Sequence, residues 1–209
     1  MLPTNVLFLL SDEHFAGVMG CAGHPLVRTP NLDRLAASGT RFANAYTPSP
    51  ICVPARASLV TGRYIHEIGY WDNALAYDGR VPGFGHRLQA AGMRAETIGK
   101  LHYRSAEDPT GFDRQQVPTH IAEGGQVWGS VRDPLPDGTR KTPIYDTIGA
   151  GESSYNRYDR QIADLTIAWL EARAREPDVA PWLLFSGFVA PHFPLIVPQR
   201  YLDLYPLDT

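Results

Sequence analysis

Two short apolar runs, Asn5 to Leu10 (NVLFLL) and Trp182 to Val189 (WLLFSGFV), constrain the fold more than any other feature of the chain. Neither alternates apolar with polar residues. A continuous run of this length reads as a strand buried on both faces of a parallel sheet. Parallel strands cannot be joined by tight turns, so helices must lie between them. The sequence supplies these. In Thr29 to Gly39 (TPNLDRLAASG), Thr29 is the expected N-cap and Pro30 the first helical residue, with Leu32, Leu35 and Ala36 on one face and Gly39 as the stop. A second helix is expected from Phe84 to Ala91, stopped by Gly92, and it leads into a short strand, Met93 to Gly99. From Ser153 to about Arg175, Tyr155, Tyr158, Ile162, Leu165, Trp169 and Ala172 recur at steps of three and four, the period of an amphipathic helix, before Pro177 and Pro181 end it. Strands alternating with helices predict a three-layer α/β/α sandwich with a mostly parallel central sheet.

With 209 residues, 44% of them hydrophobic and 20% charged, the chain can bury one substantial core. A formal net charge of −3 leaves no electrostatic footprint for nucleic acid or anionic lipid, so neither is an expected partner. The run Val6 to Leu10 is far too short for a signal-peptide core or a membrane span, and no basic segment precedes it. Two cysteines, Cys21 and Cys52, fit a reducing compartment better than a disulfide, and the expected location is cytoplasmic. Residues from about 105 to 152 are rich in Gly, Pro and polar side chains with no sustained period, and read as an irregular excursion or lid.

In open α/β sheets ligands sit beyond the carboxyl ends of the strands. Asp12, Lys100, His102 and His192 all follow expected strands at that end. Singly, each has an ordinary reading as a cap or a solvated side chain; four at equivalent edges favour a site. Cys52 reads as the N-cap of a helix running to Gly62, with Pro54 tolerated in its first turn. There it would face unpaired N–H groups and the positive end of the helix dipole, with Arg56 one turn on. The competing reading is an inert cysteine packed beside a helix. Tyr70, Trp71, Tyr77, Tyr103 and Trp128 are candidates either for core packing or for the walls of a pocket for a sugar, an aryl ring or a quaternary ammonium.

Cys52-Val53-Pro54-Ala55-Arg56, followed by Leu59 and Thr61-Gly62-Arg63, resembles the sulfatase signature C-x-P-x-R with its T-G-R tail. Further matches occur in order: the strand ending at Asp12, the stretch TPNLDRLAASGTRFANAY, Asp72-Asn73, GKLHY and APHFP. The resemblance runs from about residue 4 to the end of the chain, and is nearest to the choline-sulfatase and phosphonate-monoesterase branch of the alkaline-phosphatase superfamily.

The resemblance implies an alkaline-phosphatase-like fold, incomplete at its C-terminal side, in which residues 1–209 form the N-terminal part of one catalytic domain. It implies that Cys52 is oxidised to formylglycine by a formylglycine-generating or sulfatase-maturing enzyme, and that the hydrated aldehyde attacks a small-molecule sulfate ester. Arg56 would orient that hydrate. Lys100 and His102 would contact the sulfate or the hydrate, His192 the bridging oxygen or a sulfate oxygen, and Asn73 the transferring group, although an Asp-Asn pair is also a common local backbone cap. Asp12 and residue 52 would be ligands of one divalent metal, calcium by preference, with manganese or magnesium as alternatives. Glu13 stands where family members carry Asp or Gln and is not counted as a ligand. The second pair of metal ligands, which the family draws from beyond the PHxP stretch, has no counterpart before Thr209, so only part of the metal site is expected. Homo-oligomerisation is compatible with the family. Two alternatives stay open: a phosphonate monoester or phosphodiester hydrolase on the same scaffold, and a non-catalytic anion-binding domain.

Overall fold

The structure, a computed structural model, describes residues 5–121, 148–176 and 180–206. The expected features at Trp128 and Pro177, and most of the excursion between 105 and 152, lie outside the described residues. Among the described residues, the order of elements is β1 (Val6–Asp12), α1 (Pro30–Ser38), α2 (Cys52–Thr61), α3 (Ile65–Ile68), α4 (Phe84–Ala90), β2 (Arg94–Tyr103), β3 (Arg114–His120), β4 (Gly149–Ala150), α5 (Ser154–Arg175), β5 (Trp182–Pro191), β6 (Ile196–Val197) and α6 (Gln199–Leu202). No described helix is long and apolar enough to cross a membrane. The chain divides into two compact units. The first draws on residues within 1–10, 47–140 and 158–189, the second on residues within 11–46, 141–157 and 190–209.

The first unit carries a four-stranded sheet in the order β1-β5-β2-β3. β2 runs parallel to both its neighbours, with Arg94 to Gly99 registered against Trp182 to Gly187 of β5. Alternate residues of the two central strands serve opposite layers. Ala95, Leu101, Leu183 and Phe185 pack with Ala57 and Val60 of α2, whereas Ile98 and Leu184 pack with Ile162 and Trp169 of α5. Burying side chains such as Ile98 and Leu184 completely stabilises the fold by roughly 1.5–3 kcal/mol each. Glu96 is fully buried on the α5 face, where its Oε2 accepts a hydrogen bond of 3.0 Å from Trp169 Nε1 and its Oε1 lies 2.5 Å from Arg94 Nε. A buried carboxylate is tolerable only with such partners.

Three expectations about the sheet need correction. β1 is not buried on both faces: Phe8 and Leu10 join the α2-side core, but Leu7 and Leu9 are 41% and 55% exposed. β1 is at the edge of the described sheet, and no described element covers its second face. β2 does not end at Gly99 but continues to Tyr103, because its last residues pair with β3, Lys100 opposite Thr119 and Tyr103 opposite His120. β3 itself falls inside the stretch read as irregular. Its sequence, RQQVPTH, has no apolar alternation and contains Pro118, which is compatible with its place at the other described edge.

In the second unit, Thr29 occupies the N-cap position of α1, but its hydroxyl does not cap the helix. It accepts from Gly20 N (2.9 Å) and donates to Asp33 Oδ1 (2.8 Å), and that same oxygen accepts from Cys21 N. No disulfide joins Cys21 to Cys52. At the start of α5, Ser153 and Asn156 bond reciprocally through side chain and backbone N–H, a capping box.

Candidate active site

The first unit gathers Cys52, Arg56, Asn73, Lys100 and His102 around the start of α2 and the far end of β2. Cys52 is the first residue of α2 and not its N-cap; that position belongs to Ile51, whose extended backbone (φ −104°, ψ 139°) precedes the helix and whose side chain has nothing with which to cap. The capping is done from a distance. Asn73 Oδ1 accepts a 3.0 Å hydrogen bond from Val53 N, one of the amides that a helix start leaves without an intrahelical partner. Of the two ends of this amide, Nδ2–H₂ is the donor and hence the one whose chemistry suits an anionic oxygen. Pro54, buried in the first turn, loses no helical hydrogen bond. Gly62 closes the helix in the left-handed conformation (φ 67°), its N–H bonded to Ser58 O at 2.8 Å. Residue 52, half-buried, therefore sits on a helix fixed at both ends.

Arg56 is only 6% exposed, and its Nη1 donates to the backbone carbonyl of Lys100 at 2.7 Å. That carbonyl is where it is because two glycines allow it. Gly99 has φ 92° and faces Gly187 of β5; a Cβ on Gly99 would strike Gly187 O and Ile162, and one on Gly187 would strike the Lys100 carbonyl. The pair bends β2 into a register shift between Ile98 and Lys100, and a second shift follows before Tyr103. His102 adopts a positive φ of 56° within this distorted end. Lys100 and His102 thus belong to an irregular strand terminus, with Lys100 98% buried, rather than to a loop after the strand. Sequence reasoning does not single out Gly99 or Gly187; the signal that could have found Gly99 is a glycine directly before a candidate charged residue at a strand end.

Around this group the tyrosines are in poorly solvated places. Burial pushes the Tyr158 hydroxyl up to about 12, against opposing pulls from a Thr119 hydrogen bond and the Arg56 charge. Its OH donates to Val117 O at 2.5 Å. Burial raises Tyr103 further, with Arg56 again pulling the other way.

The second unit holds Asp12, Glu13 and His192. Asp12 is the last residue of β1, and Glu13 follows it at φ 61°. His192 directly follows β5, flanked by cis prolyl bonds at Pro191 and Pro194. Its Nδ1 donates to Phe193 O at 2.7 Å, so a singly protonated ring carries its lone pair on Nε2. Nε2 lies 3.4 Å from Glu13 Oε1, an ion pair when the ring holds both protons, and the ring meets Tyr155 edge-on at 6.0 Å. Glu13, set aside as a ligand in the sequence, is therefore the partner of His192.

Asp12 supplies the hard carboxylate oxygen that calcium, magnesium or manganese prefers. Among the described residues, however, no group of three or more His, Cys, Asp or Glu side chains is close enough to hold an ion. The donor type fits a divalent metal, but the described set does not complete a site.

The sulfatase family model matches residues 4–208. The chain is 38% identical over 124 residues to an N-acetylglucosamine-6-O-sulfatase of Bacteroides thetaiotaomicron, covering 59% of this chain and 22% of that protein. It is 30% identical over 211 residues to the choline-sulfatase of Rhizobium meliloti, covering 96% of this chain and 41% of the relative. Among solved structures, it superposes on BT4656, solved in complex with its substrate D-glucosamine-2-N,6-O-disulfate, with a TM-score of 0.68 at 31% identity, over 97% of this chain and 37% of the other. The phosphonate monoester hydrolase of Agrobacterium radiobacter shares the fold, with a TM-score of 0.70 at 23% identity, over 99% of this chain and 44% of its own. The chain thus spans less than half the length of each of these relatives. The ordered motifs, the mostly parallel sheet with helices on both faces and the family match agree: this chain belongs to the sulfatase family.

Proposed function

We propose that the protein of which this chain is part hydrolyses sulfate monoesters, with formylglycine derived from Cys52 as the nucleophilic residue and a divalent cation, calcium by preference, as cofactor. The observation that carries the proposal is the buried hydrogen bond from Arg56 to the Lys100 carbonyl, which ties the C-x-P-x-R turn to the K-x-H strand end within one unit. An inert cysteine beside a helix would need no buried guanidinium one turn away.

The chemistry asks for an oxygen nucleophile at neutral pH and for positive charge around an anionic group. A hydrated aldehyde at position 52 supplies that oxygen when the residue is matured. The chain's own groups do the rest. The first turn of α2 presents its amide dipoles to position 52. Arg56 brings a permanent cation to the same turn, and its bond to Lys100 O holds the strand end that carries Lys100 and His102. Lys100 and His102 are assigned to the ester's sulfate oxygens or the hydrate, His192 to the bridging oxygen or a sulfate oxygen, and Asn73 to the transferring group through its Nδ2–H₂. Asp12 and residue 52 are assigned to the cation. The roles of Asp12 and His192 rest on the family likeness alone.

Peptide mass spectrometry across residues 42–56, on protein made in a host that matures sulfatases, tests the proposal. An aldehyde at 52 is expected; an intact thiol would favour an anion-binding domain. The phosphonate and phosphodiester reading is weighed by assaying a phosphonate monoester beside the sulfate esters, where the sulfate ester is expected to be the faster substrate.

A further inference from the structure

We propose that Asp78 is a positioning residue for the sulfatase chemistry: its carboxylate closes residues 70–78 into a fixed loop that carries Asn73, and it acts on the reaction through Asn73. The inference rests on the sulfatase reading and extends it to a residue outside the signature and the other matched motifs.

The two ends of the loop are anchored in the core. Tyr70 and Tyr77 are 1% and 0% exposed, and their rings meet edge-on at 5.6 Å, with Tyr103 next in the series at 4.9 Å from Tyr77. These three tyrosines are core packing, whereas Trp71 is 53% exposed. Between the anchors, the backbone has to find its own hydrogen bonds. Asp72 supplies a local turn: its Oδ1 accepts from Ala74 N at 2.8 Å and its carbonyl from Leu75 N at 3.3 Å.

Asp78 fastens this loop at its base. Its Oδ1 accepts from Tyr70 OH at 2.5 Å, eight positions away, and from Arg80 N at 3.1 Å, while its Oδ2 lies 3.7 Å from Arg104 Nη1. The Arg80 guanidinium covers the Tyr70 ring at 4.6 Å. Arg104 follows directly on β2, its backbone N–H donates to Tyr77 O at 2.9 Å, and its guanidinium also pairs with Asp108. β2 is held independently by β3 and β5, so the loop is the member that Asp78 holds in place. Burial pushes the Asp78 carboxyl up, but the Tyr70 hydroxyl, the Arg80 amide and the Arg80 and Arg104 charges outweigh it and keep it below its usual range, so it is ionised at neutral pH. A hydroxyl bonded to a carboxylate is roughly twice as strong as a neutral pair, which makes the Tyr70 contact the main fastening.

What the loop carries is Asn73, whose Oδ1 reaches Val53 N at the start of α2. That reach depends on where the loop holds the Asn73 backbone. Without the Asp78 carboxylate, Tyr70 OH loses its acceptor and the loop its closure, so the cap on α2 and the placement of the Asn73 Nδ2–H₂ group fail together.

A double-mutant cycle tests this in the complete, matured protein, with wild type, Asp78→Ala, Asn73→Ala and the double variant assayed on whichever of para-nitrophenyl, choline and glucosamine sulfates the wild type turns over fastest. Asp78→Ala is expected to lower kcat/KM about tenfold when Asn73 is present and less than about twofold when it is replaced, because the group being positioned is gone. Equal factors in the two backgrounds would mean a general loss of structure and overturn the proposal, as would no loss in either. Hydrogen exchange read by mass spectrometry reports the same link without turnover. Peptides spanning residues 50–56 should exchange about tenfold faster in Asp78→Ala and in Asn73→Ala alike, while peptides of α5 keep their protection. Unchanged exchange at 50–56, or equal loss of protection in α5, overturns the proposal. If Asp78→Ala does not fold, Tyr70→Phe, which removes only the hydroxyl, replaces it in both measurements with the same expectations. Should the wild type turn over no sulfate ester, the sulfatase reading fails on its own, and the exchange measurement still decides the role of Asp78.

Discussion

The two compact units hold their candidate residues by different means. In the first, Arg56 and Lys100 are nearly sealed from solvent, and their placement is enforced by backbone: a capped helix start, a carbonyl acceptor and a pair of glycines. In the second, His192 and Glu13 meet at 3.4 Å with the Glu13 side chain 42% exposed. A buried group bonded to backbone costs much to disturb, whereas a pair with one half-exposed member, here Glu13, shares its energy with water. Residues of the first kind act as a rigid template, and those of the second can adjust.

Substitutions can break or sharpen that contrast. Cys52→Ala in the complete, matured protein should lower kcat/KM by about 10,000-fold or more, with an unchanged circular dichroism spectrum; retained turnover would remove the nucleophile from position 52. Arg56→Ala takes the donor from the Lys100 carbonyl and empties a buried site, and should cost about 2–3 kcal/mol in urea unfolding as well as activity. Gly99→Ala forces a Cβ into Gly187 and an unfavourable φ, at about 1–3 kcal/mol by the same measurement. Glu13→Gln should change stability by no more than about 0.5 kcal/mol, because its pair with His192 is partly screened by water. An effect of Glu13→Gln as large as that of Arg56→Ala would abolish the distinction between the units.

The first unit should also respond to alkali. Burial raises Tyr77 and Tyr158 from an ordinary value of 10.0 to about 12. A folded value above the unfolded one means that the unfolded chain releases its protons first as pH rises. The stability these hydroxyls contribute is therefore complete below pH 10 and lost progressively towards pH 12. Absorbance of tyrosinate should rise together with loss of tertiary structure over that window; titration at pH 10 with the fold intact would contradict their burial.

The sequence makes the regular parts legible. Helix α5 follows from its period of apolar residues, α1 from its proline and glycine, and the signature from local spacing that needs no third dimension. What escapes it is whatever depends on a remote partner. That Ile51 rather than Cys52 precedes α2 is decided by Asn73, twenty positions from the amide it caps. That β2 runs on to Tyr103 is decided by β3, whose polar residues and proline disguise a strand that only its neighbour specifies. The exposed second face of β1 escapes for the same reason, since an apolar run implies burial without naming the cover.

The remote cap on α2 has a consequence for transplantation. Residues 52–63 carry the whole signature, yet in a foreign loop they would leave behind both Asn73 and the bent strand under Arg56. A graft of the dodecapeptide would keep the order of its letters and lose the scaffold that gives residue 52 its posture; borrowing the reactivity requires borrowing residues 70–78 and the kink at Gly99 as well.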